Sequence, residues 1–213
     1  MDGLTYANQF GWIAQVLGCA YTYQGSLGMR KALTRNLKEH HSSQSRDFSY
    51  FYKAGAQNVV GHKENLTLRT HPLTGQNVLH WPEPELAIVL GKNHKITGYC
   101  LANDFTAFEL EVMGRTENFD GTYFGKCWKG SCSLGSRIFS KDEVNPGKLE
   151  IGLVIERGNE LIYNQKFSTQ YRKREFSQLP EMIIEYSKKF SALPPSKKIF
   201  LDENGALKEG TVI

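Results

Sequence analysis

The residues best suited to chemistry lie in one stretch of the chain, between residues 81 and 136. Glu83 and Glu85 stand two positions apart, and Asp104 follows after an apolar run, a turn and a second apolar run. In an extended backbone, side chains two residues apart point to the same face. Oxygen-only ligation suits Mg²⁺, Mn²⁺ or Ca²⁺ better than zinc. The stretch therefore predicts a divalent-metal site, and Lys126 would add a cation for an anionic substrate.

The spacing alone leaves a second interpretation open for these carboxylates. Acidic side chains usually lie at the surface, so Glu83 and Glu85 could be solvated groups at a strand end. Asp104 could cap the N-terminus of a following helix. Pro84 stands between the two glutamates and restricts this segment to the start or edge of a strand, because proline cannot donate a hydrogen bond to a ladder.

Two apolar runs must position these groups. The run from Glu85 to Leu90 predicts a strand buried on both faces, and the run from Ile96 to Ala102 predicts a second strand after a short turn. Adjacent strands joined by a short loop form an antiparallel hairpin, which brings Glu85 and Asp104 towards the same end. A short helix is predicted from Phe105 to Val112.

The flanking segments predict further elements. The apolar spacing from Thr5 to Cys19 and from Met29 to His41 predicts two helices, followed by a polar linker to residue 47, so residues 1–47 would form a helical N-terminal extension. An amphipathic helix is predicted from Arg174 to Phe190. Extended segments are predicted at Ser49–Ala54, Tyr123–Trp128, Ser136–Phe139, Leu149–Glu156 and Leu161–Phe167, with a hairpin turn at Gly158-Asn159.

Composition limits the class of protein. The chain has 213 residues, of which 40% are hydrophobic and 12% aromatic, which favours a folded protein of one domain or one domain with an extension. The net charge of +4 is mildly basic and scattered, so no nucleic-acid partner is expected. No apolar run approaches the ~20 residues of a membrane span. The four cysteines indicate free thiols, and hence a cytoplasmic location.

Three segments of the central stretch carry a resemblance. They are PEPELAIVL at residues 82–90, GYCLANDFTAFELE at residues 98–111 and GKCWKGSCSLGSRI at residues 125–138. Together they resemble the core of the fumarylacetoacetate hydrolase superfamily, and most closely its branch of 2-keto-3-deoxy-pentonate (arabinonate) dehydratases. Weaker similarity at residues 18–30, 51–54 and 168–169 extends the resemblance over roughly residues 18 to 180.

The resemblance implies a fold and a set of site residues. The fold would be α+β, a mixed sheet forming a roll or sandwich with flanking helices, with residues 48–213 as the catalytic domain. Glu83, Glu85 and Asp104 would hold Mg²⁺ or Mn²⁺, and Lys126 would be the catalytic residue facing a small anionic 2-oxo acid. The remaining substrate-binding positions would be Trp128, which also lies beside Lys126 in the sequence, with Ser168 and Thr169. A homodimer is also implied.

The implied chemistry leaves the reaction open. A cation site of this type stabilises an enolate, which can arise by dehydration of a 2-keto-3-deoxy sugar acid or by C–C hydrolysis of an acylpyruvate. The sequence departs from the family pattern at Phe108, Lys129 and Ser136, and the region before Ile213 resembles a shortened C-terminus. The alternative is therefore a catalytically impaired member that binds metal, ligand or a partner protein. No residue is assigned to proton transfer.

Overall fold

The computed structural model describes residues 10–20, 48–116, 120–171, 174–190 and 192–213. The predicted helix from Met29 to His41 and the linker after it lie outside these residues. The strands are β1 Gln15–Ala20, β2 Ser49–Ala54, β3 Val59–Val60, β4 His80–Trp81, β5 Pro84–Leu90, β6 Ile96–Asp104, β7 Thr106–Ala107, β8 Cys132–Leu134, β9 Phe139–Ser140, β10 Glu150–Arg157, β11 Glu160–Ser168 and β12 Thr211–Val212. The α-helices are α1 Phe108–Thr116, α2 Gly121–Lys126 and α3 Leu179–Ser187.

A mixed sheet forms the body of the protein. Its strand order is β2-β1-β12-β5-β6-β8-β3, with β9 paired to β6. The pairs β1–β12 and β3–β8 are parallel, whereas β1–β2, β5–β6 and β6–β8 are antiparallel. Two smaller two-stranded sheets, β4–β7 and β10–β11, stand apart from it. This mixed sheet with flanking helices confirms the predicted fold class.

Strand β5 is buried on both faces, as its continuous apolar run predicts. Ala87 and Val89 belong to one hydrophobic cluster, together with residues of β1, β6 and β8. Ile88 and Leu90 belong to a second cluster on the other face, which α3 covers with Leu179 and Ile183. The sheet therefore separates two cores, and the side chains of Ala87 and Val89 lie in the first one.

The central hairpin is confirmed. Strands β5 and β6 are antiparallel and pair Glu85 with Ala102 and Pro84 with Asn103. The turn between them contains Asn93 at φ 55°, and asparagine is among the non-glycine residues that tolerate this left-handed conformation. The open end of the hairpin carries the acidic residues.

The helix predicted from Thr5 to Cys19 is wrong from residue 15 onwards, where the chain forms β1 between β2 and β12. The physical reason is burial on both sides. Val16 packs into the first core and Leu17 into the second, so the apolar residues follow one another without marking the period of a strand. The predicted helical extension is thus replaced by a strand over residues 15–20, and residues 1–9 and 21–47 lie outside the described part of the chain.

Two further boundaries differ from the prediction. The segment predicted as extended from Tyr123 to Trp128 is instead the end of α2, whose first turn is capped by Asp120 Oδ1 accepting from Tyr123 N at 3.0 Å. Helix α1 begins at Phe108, because the two preceding residues pair with β4. None of the described helices has the length and apolar character needed to cross a membrane.

Helix α3 and the β10–β11 hairpin agree better with the sequence-based predictions. Helix α3 is shorter than predicted and starts at Leu179, with Pro180 in its first turn, where proline's missing N–H costs nothing. The hairpin β10–β11 is confirmed, and its turn places Gly158 at φ 61°.

Candidate active site

The three acidic residues converge at the open end of the β5–β6 hairpin. Glu83 lies just before β5, Glu85 is its second residue, and Asp104 ends β6. A backbone hydrogen bond from Asp104 N to Glu83 O, 2.9 Å long, ties the two strand ends together. One carboxylate oxygen of each residue lies within 4.8 Å of the other two. The register of the hairpin thus brings Asp104 next to Glu83 and Glu85, although about twenty residues separate them in the sequence.

Two buried lysines face this acidic cluster. Lys126 Nζ donates to Glu83 Oε2 at 2.7 Å, to Asp104 Oδ2 at 2.6 Å and to Thr106 Oγ1 at 2.7 Å. Lys53 Nζ lies 2.5 Å from Asp104 Oδ1. The lysine side chains are only 2–3% exposed, whereas Glu83 is 30% exposed. Solvent is therefore excluded from the cluster on the side of the two lysines and reaches it on the side of Glu83.

The charges of these groups are strongly coupled. Burial alone would raise the pKa of Asp104, but the ammonium groups of Lys126 and Lys53 hold it well below its usual range. Burial likewise disfavours the charged form of Lys126, yet Asp104 and Glu83 raise its pKa above the usual range. Burial, then the neighbouring carboxylates of Asp104 and Glu83, raise the pKa of Glu85 to about 8. The raised pKa of Glu85 favours its protonated form in the absence of a cation, and a bound cation would displace that proton.

The residues present fit a hard divalent cation. Asp104 Oδ1 is buried and paired with the Lys53 ammonium at 2.5 Å. An ionised carboxylate oxygen has more than one lone pair, so Oδ1 can keep this contact and also bind a cation. The neighbouring donors, Glu83 and Glu85, are also carboxylates. This oxygen-only set is the one that Mg²⁺ and Mn²⁺ prefer.

Close packing of two helices places Lys126. A Cβ on Gly125 would come within 2.7 Å of the Glu111 backbone nitrogen and Cβ, so α1 and α2 touch backbone to backbone at this point. The carbonyl of Lys126 accepts from Ser131 Oγ at 2.8 Å. Because Asp120 caps the other end of α2, the six-residue helix is fixed at both ends and directs Lys126 at the carboxylates.

Trp128 lies beside the site, as the sequence predicts. Lys53 Nζ is 5.4 Å from the centroid of its indole ring. Its Nε1 donates to Thr67 O at 2.8 Å. The His80 ring is stacked on Phe105, with ring centroids 5.1 Å apart. It also packs T-shaped against the Trp128 indole, with centroids 6.0 Å apart. The indole therefore forms an aromatic wall next to the two lysines.

The described hydrogen bonds of the Ser168 and Thr169 side chains are with the backbone. Thr169 is fully buried, and its hydroxyl donates to Leu149 O and accepts from Leu149 N. Ser168 Oγ accepts from Gln170 N. Both side chains secure the base of the β10–β11 hairpin, and their described contacts do not include the acidic cluster. Their role in substrate binding stays a prediction.

Two residues of the site were not predicted as site residues. Lys53 lies in a strand that was predicted, but a lysine in an extended segment indicates only an exposed charge until its partner is known. Thr106 is 1% exposed, and its hydroxyl also lies 3.2 Å from Asp104 O. Its position two residues after Asp104 is the signal that could have suggested a shared face.

The cysteines and histidines do not form a second site among the described residues. The free thiols include Cys100 and Cys132, which are buried in the first core. His80 Nε2 accepts from Arg69 N at 2.9 Å. The described contacts of these groups are thus with the hydrophobic core and the backbone.

Comparison with known proteins places this site in a family. The family described as "Fumarylacetoacetate (FAA) hydrolase C-terminal" matches residues 26–201. A 2-dehydro-3-deoxy-D-arabinonate dehydratase of Saccharolobus solfataricus is 33% identical over 137 residues, which cover 63% of this chain and 42% of that protein. The chain thus spans less than half the length of this curated relative.

Solved structures show the same fold. A 2-keto-3-deoxy-D-arabinonate dehydratase complexed with magnesium and 2,5-dioxopentanoate superposes with a TM-score of 0.65 at 23% identity, covering 100% of this chain and 68% of that one. A fumarylpyruvate hydrolase from Pseudomonas aeruginosa in complex with Mn²⁺ and pyruvate gives 0.56 at 16% identity, covering 94% and 76%. Both proteins carry the type of cation that the acidic cluster fits. With its family match, its fold and its acidic cluster, the chain belongs to the fumarylacetoacetate hydrolase family.

Proposed function

We propose that this chain is a Mg²⁺- or Mn²⁺-dependent enzyme acting on a small anionic 2-oxo acid. Dehydration of a 2-keto-3-deoxy sugar acid is the favoured reaction, and C–C hydrolysis of an acylpyruvate is the close alternative. The observation that carries the proposal is the convergence of Glu83, Glu85 and Asp104 within 4.8 Å, with Lys126 Nζ 2.6 Å from Asp104. The named activities of the relatives support it at the level of the reaction class.

Each residue has a part in this proposal. A bound Mg²⁺ or Mn²⁺ would supply Lewis-acid polarisation of the 2-oxo group. Glu83, Glu85 and Asp104 would hold the cation, and Lys53 would keep Asp104 ionised. Lys126 would place its ammonium charge beside the substrate oxygen on which negative charge develops, which is a contribution that grows towards the transition state. Removal of a C3 proton and departure of the β-hydroxyl as water would give the dehydration. Addition of water to the distal carbonyl followed by C–C cleavage would give pyruvate and a carboxylic acid.

A metal titration tests the ligand set. Millimolar Mg²⁺ or Mn²⁺ should raise the melting temperature of the wild type by several degrees, because a ligand at 100 times its Kd adds about 2.7 kcal/mol. Glu85→Gln should lose most of this shift. Glu160→Gln, on an exposed strand end, should keep it. An unchanged melting temperature of the wild type with either cation would refute the metal site.

A substrate panel separates the two reactions. The metal-loaded protein would be incubated with 2-keto-3-deoxy aldonic acids and with acylpyruvates, and the products followed by mass spectrometry. A product lighter by one water would identify a dehydratase, whereas pyruvate release would identify a hydrolase. Lys126→Met should abolish either product.

A catalytically impaired binding protein is the second candidate, and one observation favours it. Phe108 takes the place where the resemblance expects arginine, at the start of α1. The preceding residue, Ala107, is buried in a small hydrophobic cluster with Val78 and Leu110. An apolar side chain at position 108 cannot bind an anionic substrate group. Retention of the cation without turnover of any member of the panel would support this candidate over the enzyme.

The wider setting is proposed with the function. We propose a homodimer, supported by four large apolar side chains that are 37–57% exposed along the β10–β11 ribbon: Val154, Leu161, Ile162 and Phe167. Exposed apolar groups in one region favour an interface.

The free thiols of the described residues support a reducing, cytoplasmic setting. Because β1 lies inside the main sheet, we propose that the catalytic domain contains β1 as well as residues 48–213.

A further inference from the structure

Two lysines from different elements share one carboxylate of the acidic cluster. Lys53 Nζ lies 2.5 Å from Asp104 Oδ1, and Lys126 Nζ lies 2.6 Å from Asp104 Oδ2. Lys53 belongs to β2, whereas Lys126 is the last residue of α2. The positions of the two ammonium groups therefore depend on how the end of α2 packs against β2.

The edge of β2 is contacted by side-chain donors. This strand stands at the end of the main sheet, with β1 as its neighbour. An edge strand has backbone carbonyls that no neighbouring strand can satisfy, and they need other donors when they are buried. Tyr50 O accepts from Lys197 Nζ, and Tyr52 O accepts from Cys127 Sγ. The second of these contacts joins β2 to the end of α2.

The Cys127 thiol lies directly behind the two lysines. Cys127 follows Lys126 in the chain. Tyr52, whose carbonyl oxygen is 2.6 Å from Cys127 Sγ, precedes Lys53. Burial, as the largest cause, raises the pKa of Cys127 to about 12, so the thiol stays protonated and can donate. Cys127 N also donates to Tyr123 O at 3.0 Å, which ties the thiol to the last turn of α2.

The Lys126 side chain makes its own contact with β2. Its Nζ lies 5.1 Å from the centroid of the Phe51 ring, a distance at which a ring face attracts a cation. A Cβ on Gly18 would overlap this ring, so β1 leaves room for Phe51 because residue 18 is glycine. The ring thus contacts the ammonium end of Lys126, whereas the Cys127 thiol contacts β2 from the backbone end.

We propose that Cys127 is a positioning residue of this site. Its thiol fixes the end of α2 against β2 and thereby holds the ammonium groups of Lys53 and Lys126 on the two oxygens of Asp104. Stabilisation of a developing enolate depends on such placement, because a displacement of about 1 Å can cost on the order of 100-fold in rate. This inference rests on the proposed function and adds a residue that acts only through the two lysines.

Binding of two small acids tests this role without requiring turnover. Oxalate is a planar dianion that resembles the enolate of a 2-oxo acid, whereas pyruvate resembles the unreacted acid. The Mg²⁺-loaded wild type, Cys127→Ala and Cys127→Ser would be titrated with both acids by calorimetry. Cys127→Ala should weaken oxalate binding about tenfold and pyruvate binding by no more than about twofold, because the ammonium groups matter most for the enolate-like charge. Cys127→Ser should recover most of the oxalate affinity, since its hydroxyl still reaches Tyr52 O.

Turnover by the wild type, where the substrate panel finds it, gives a second readout of the same variants. Cys127→Ala should lower kcat about tenfold and change KM by no more than about twofold, as expected for an interaction made mainly in the transition state. Cys127→Ser should restore kcat. A loss of folded protein alone would not produce this split with recovery by serine.

A second buried thiol provides the matched control. Cys100 lies in β6 and packs in the first hydrophobic core. Cys100→Ala removes the same sulfur atom from a buried position, so it should lower the melting temperature. It should leave the ratio of the oxalate and pyruvate affinities unchanged. Thermal unfolding of both alanine variants measures their losses of stability.

The outcomes separate this inference from the proposed function. A ratio of oxalate to pyruvate affinity that falls in Cys127→Ala and returns in Cys127→Ser supports the positioning role, even if no substrate is turned over. An unchanged ratio in Cys127→Ala, no recovery in Cys127→Ser, or an equal fall in Cys100→Ala overturns it, even if the enzyme is active. Absence of binding of both acids to the Mg²⁺-loaded wild type overturns the positioning role and the proposed function together.

Discussion

At the residue scale, the charge balance of the site depends on Lys126. Its three N–H groups are all used, on Glu83, Asp104 and Thr106, which is the full donor capacity of an ammonium group. Because Asp104 and Lys126 are both buried, removal of either would leave the charge of the other only partly compensated. The geometry that would assist catalysis is therefore also a determinant of stability.

Replacing Lys126 tests this dual role. Without the cation, Lys126→Met should lower the free energy of unfolding by about 3 kcal/mol, because it leaves the buried carboxylates with Lys53 alone. Mg²⁺ should restore a larger share of stability to the variant than it adds to the wild type, since a divalent cation replaces the missing charge. Urea unfolding in EDTA and in Mg²⁺ measures both quantities.

An exposed ion pair serves as the control for Lys126→Met. Lys166 pairs with Glu150 on the ribbon at 2.9 Å, and both side chains are more than 60% exposed. Lys166→Met should leave the stability close to that of the wild type, with or without the cation, as is usual for surface pairs. If Lys126→Met were no more costly than this, the site would not be held together by its charges.

At the scale of elements, the contact between α1 and α2 determines where Lys126 points. Gly125→Ala would place a Cβ 2.7 Å from the Glu111 backbone nitrogen, and backbone cannot give way as a flexible side chain would. The helices must separate, so we expect a loss of about 1–3 kcal/mol, as for other overpacked sites, together with a large drop in activity. Thermal unfolding and the product assay measure these effects.

Gly152→Ala is the matched control for this contact. Gly152 lies in β10, its nearest contact for an added Cβ is an ordinary 3.5 Å, and its backbone is not in the left-handed region. Stability and activity should stay at wild-type levels. Equal damage from both variants would mean that the contact between α1 and α2 has no special importance.

The attachment of the C-terminal segment to β2 gives a dependence on alkaline pH. Tyr50 is fully buried and its hydroxyl donates to Lys197 O at 2.7 Å. Burial, and then the neighbouring Tyr186, raise the pKa of Tyr50 from 10.0 to about 12. A raised pKa in the folded state contributes stability fully below pH 10, and this contribution is lost as the pH rises from 10 to 12.

The expected loss is on the order of 2 kcal/mol between pH 10 and 12, from the size of the shift. Tyr50→Phe loses the hydrogen bond, so it should be less stable by about 1 kcal/mol at pH 8, but its stability should decline less steeply above pH 10. Free energies of unfolding in urea at pH 8, 10 and 12 compare the two proteins. Parallel curves for both would assign the alkaline transition to other groups.

At the scale of the whole molecule, the β10–β11 ribbon is the surface that we propose as the interface with a second copy of the chain. A two-stranded hairpin is marginally stable by itself, and this one pairs only with itself among the described strands. Its exposed apolar side chains include Leu161, which is 57% exposed. These features favour burial of the ribbon against a second copy of the chain.

A charged side chain on the ribbon tests the proposed homodimer. The wild type should have the mass of two chains in light scattering after size exclusion, and Leu161→Glu should shift it towards one chain, with little change in the unfolding of the protomer. Leu73→Glu is the control, because Leu73 is 87% exposed in a loop. A wild-type mass of one chain at micromolar concentration would contradict the dimer.

Local sequence information was sufficient for the acidic half of the site. The continuous apolar run of β5, the short turn at Asn93 and the length of β6 together set the hairpin register. That register alone brings Glu85 and Asp104 to one end, because antiparallel strands of matched length return to their starting point. The prediction of β10–β11 succeeded for the same reason, since its turn and both strands are contiguous in the chain.

The remaining features depend on contacts between distant parts of the chain. Strand β1 was predicted as helix because its apolar residues face two cores, which only the sheet creates. Lys53 is a site residue because it forms an ion pair with Asp104, which lies 51 positions later in the sequence. The Cys127 thiol contacts Tyr52 O, 75 positions earlier in the sequence. The sequence by itself therefore determined the carboxylates and their hairpin, whose geometry is local, while the tertiary structure decided which cations face them, because long-range pairing leaves no periodic signal along the chain.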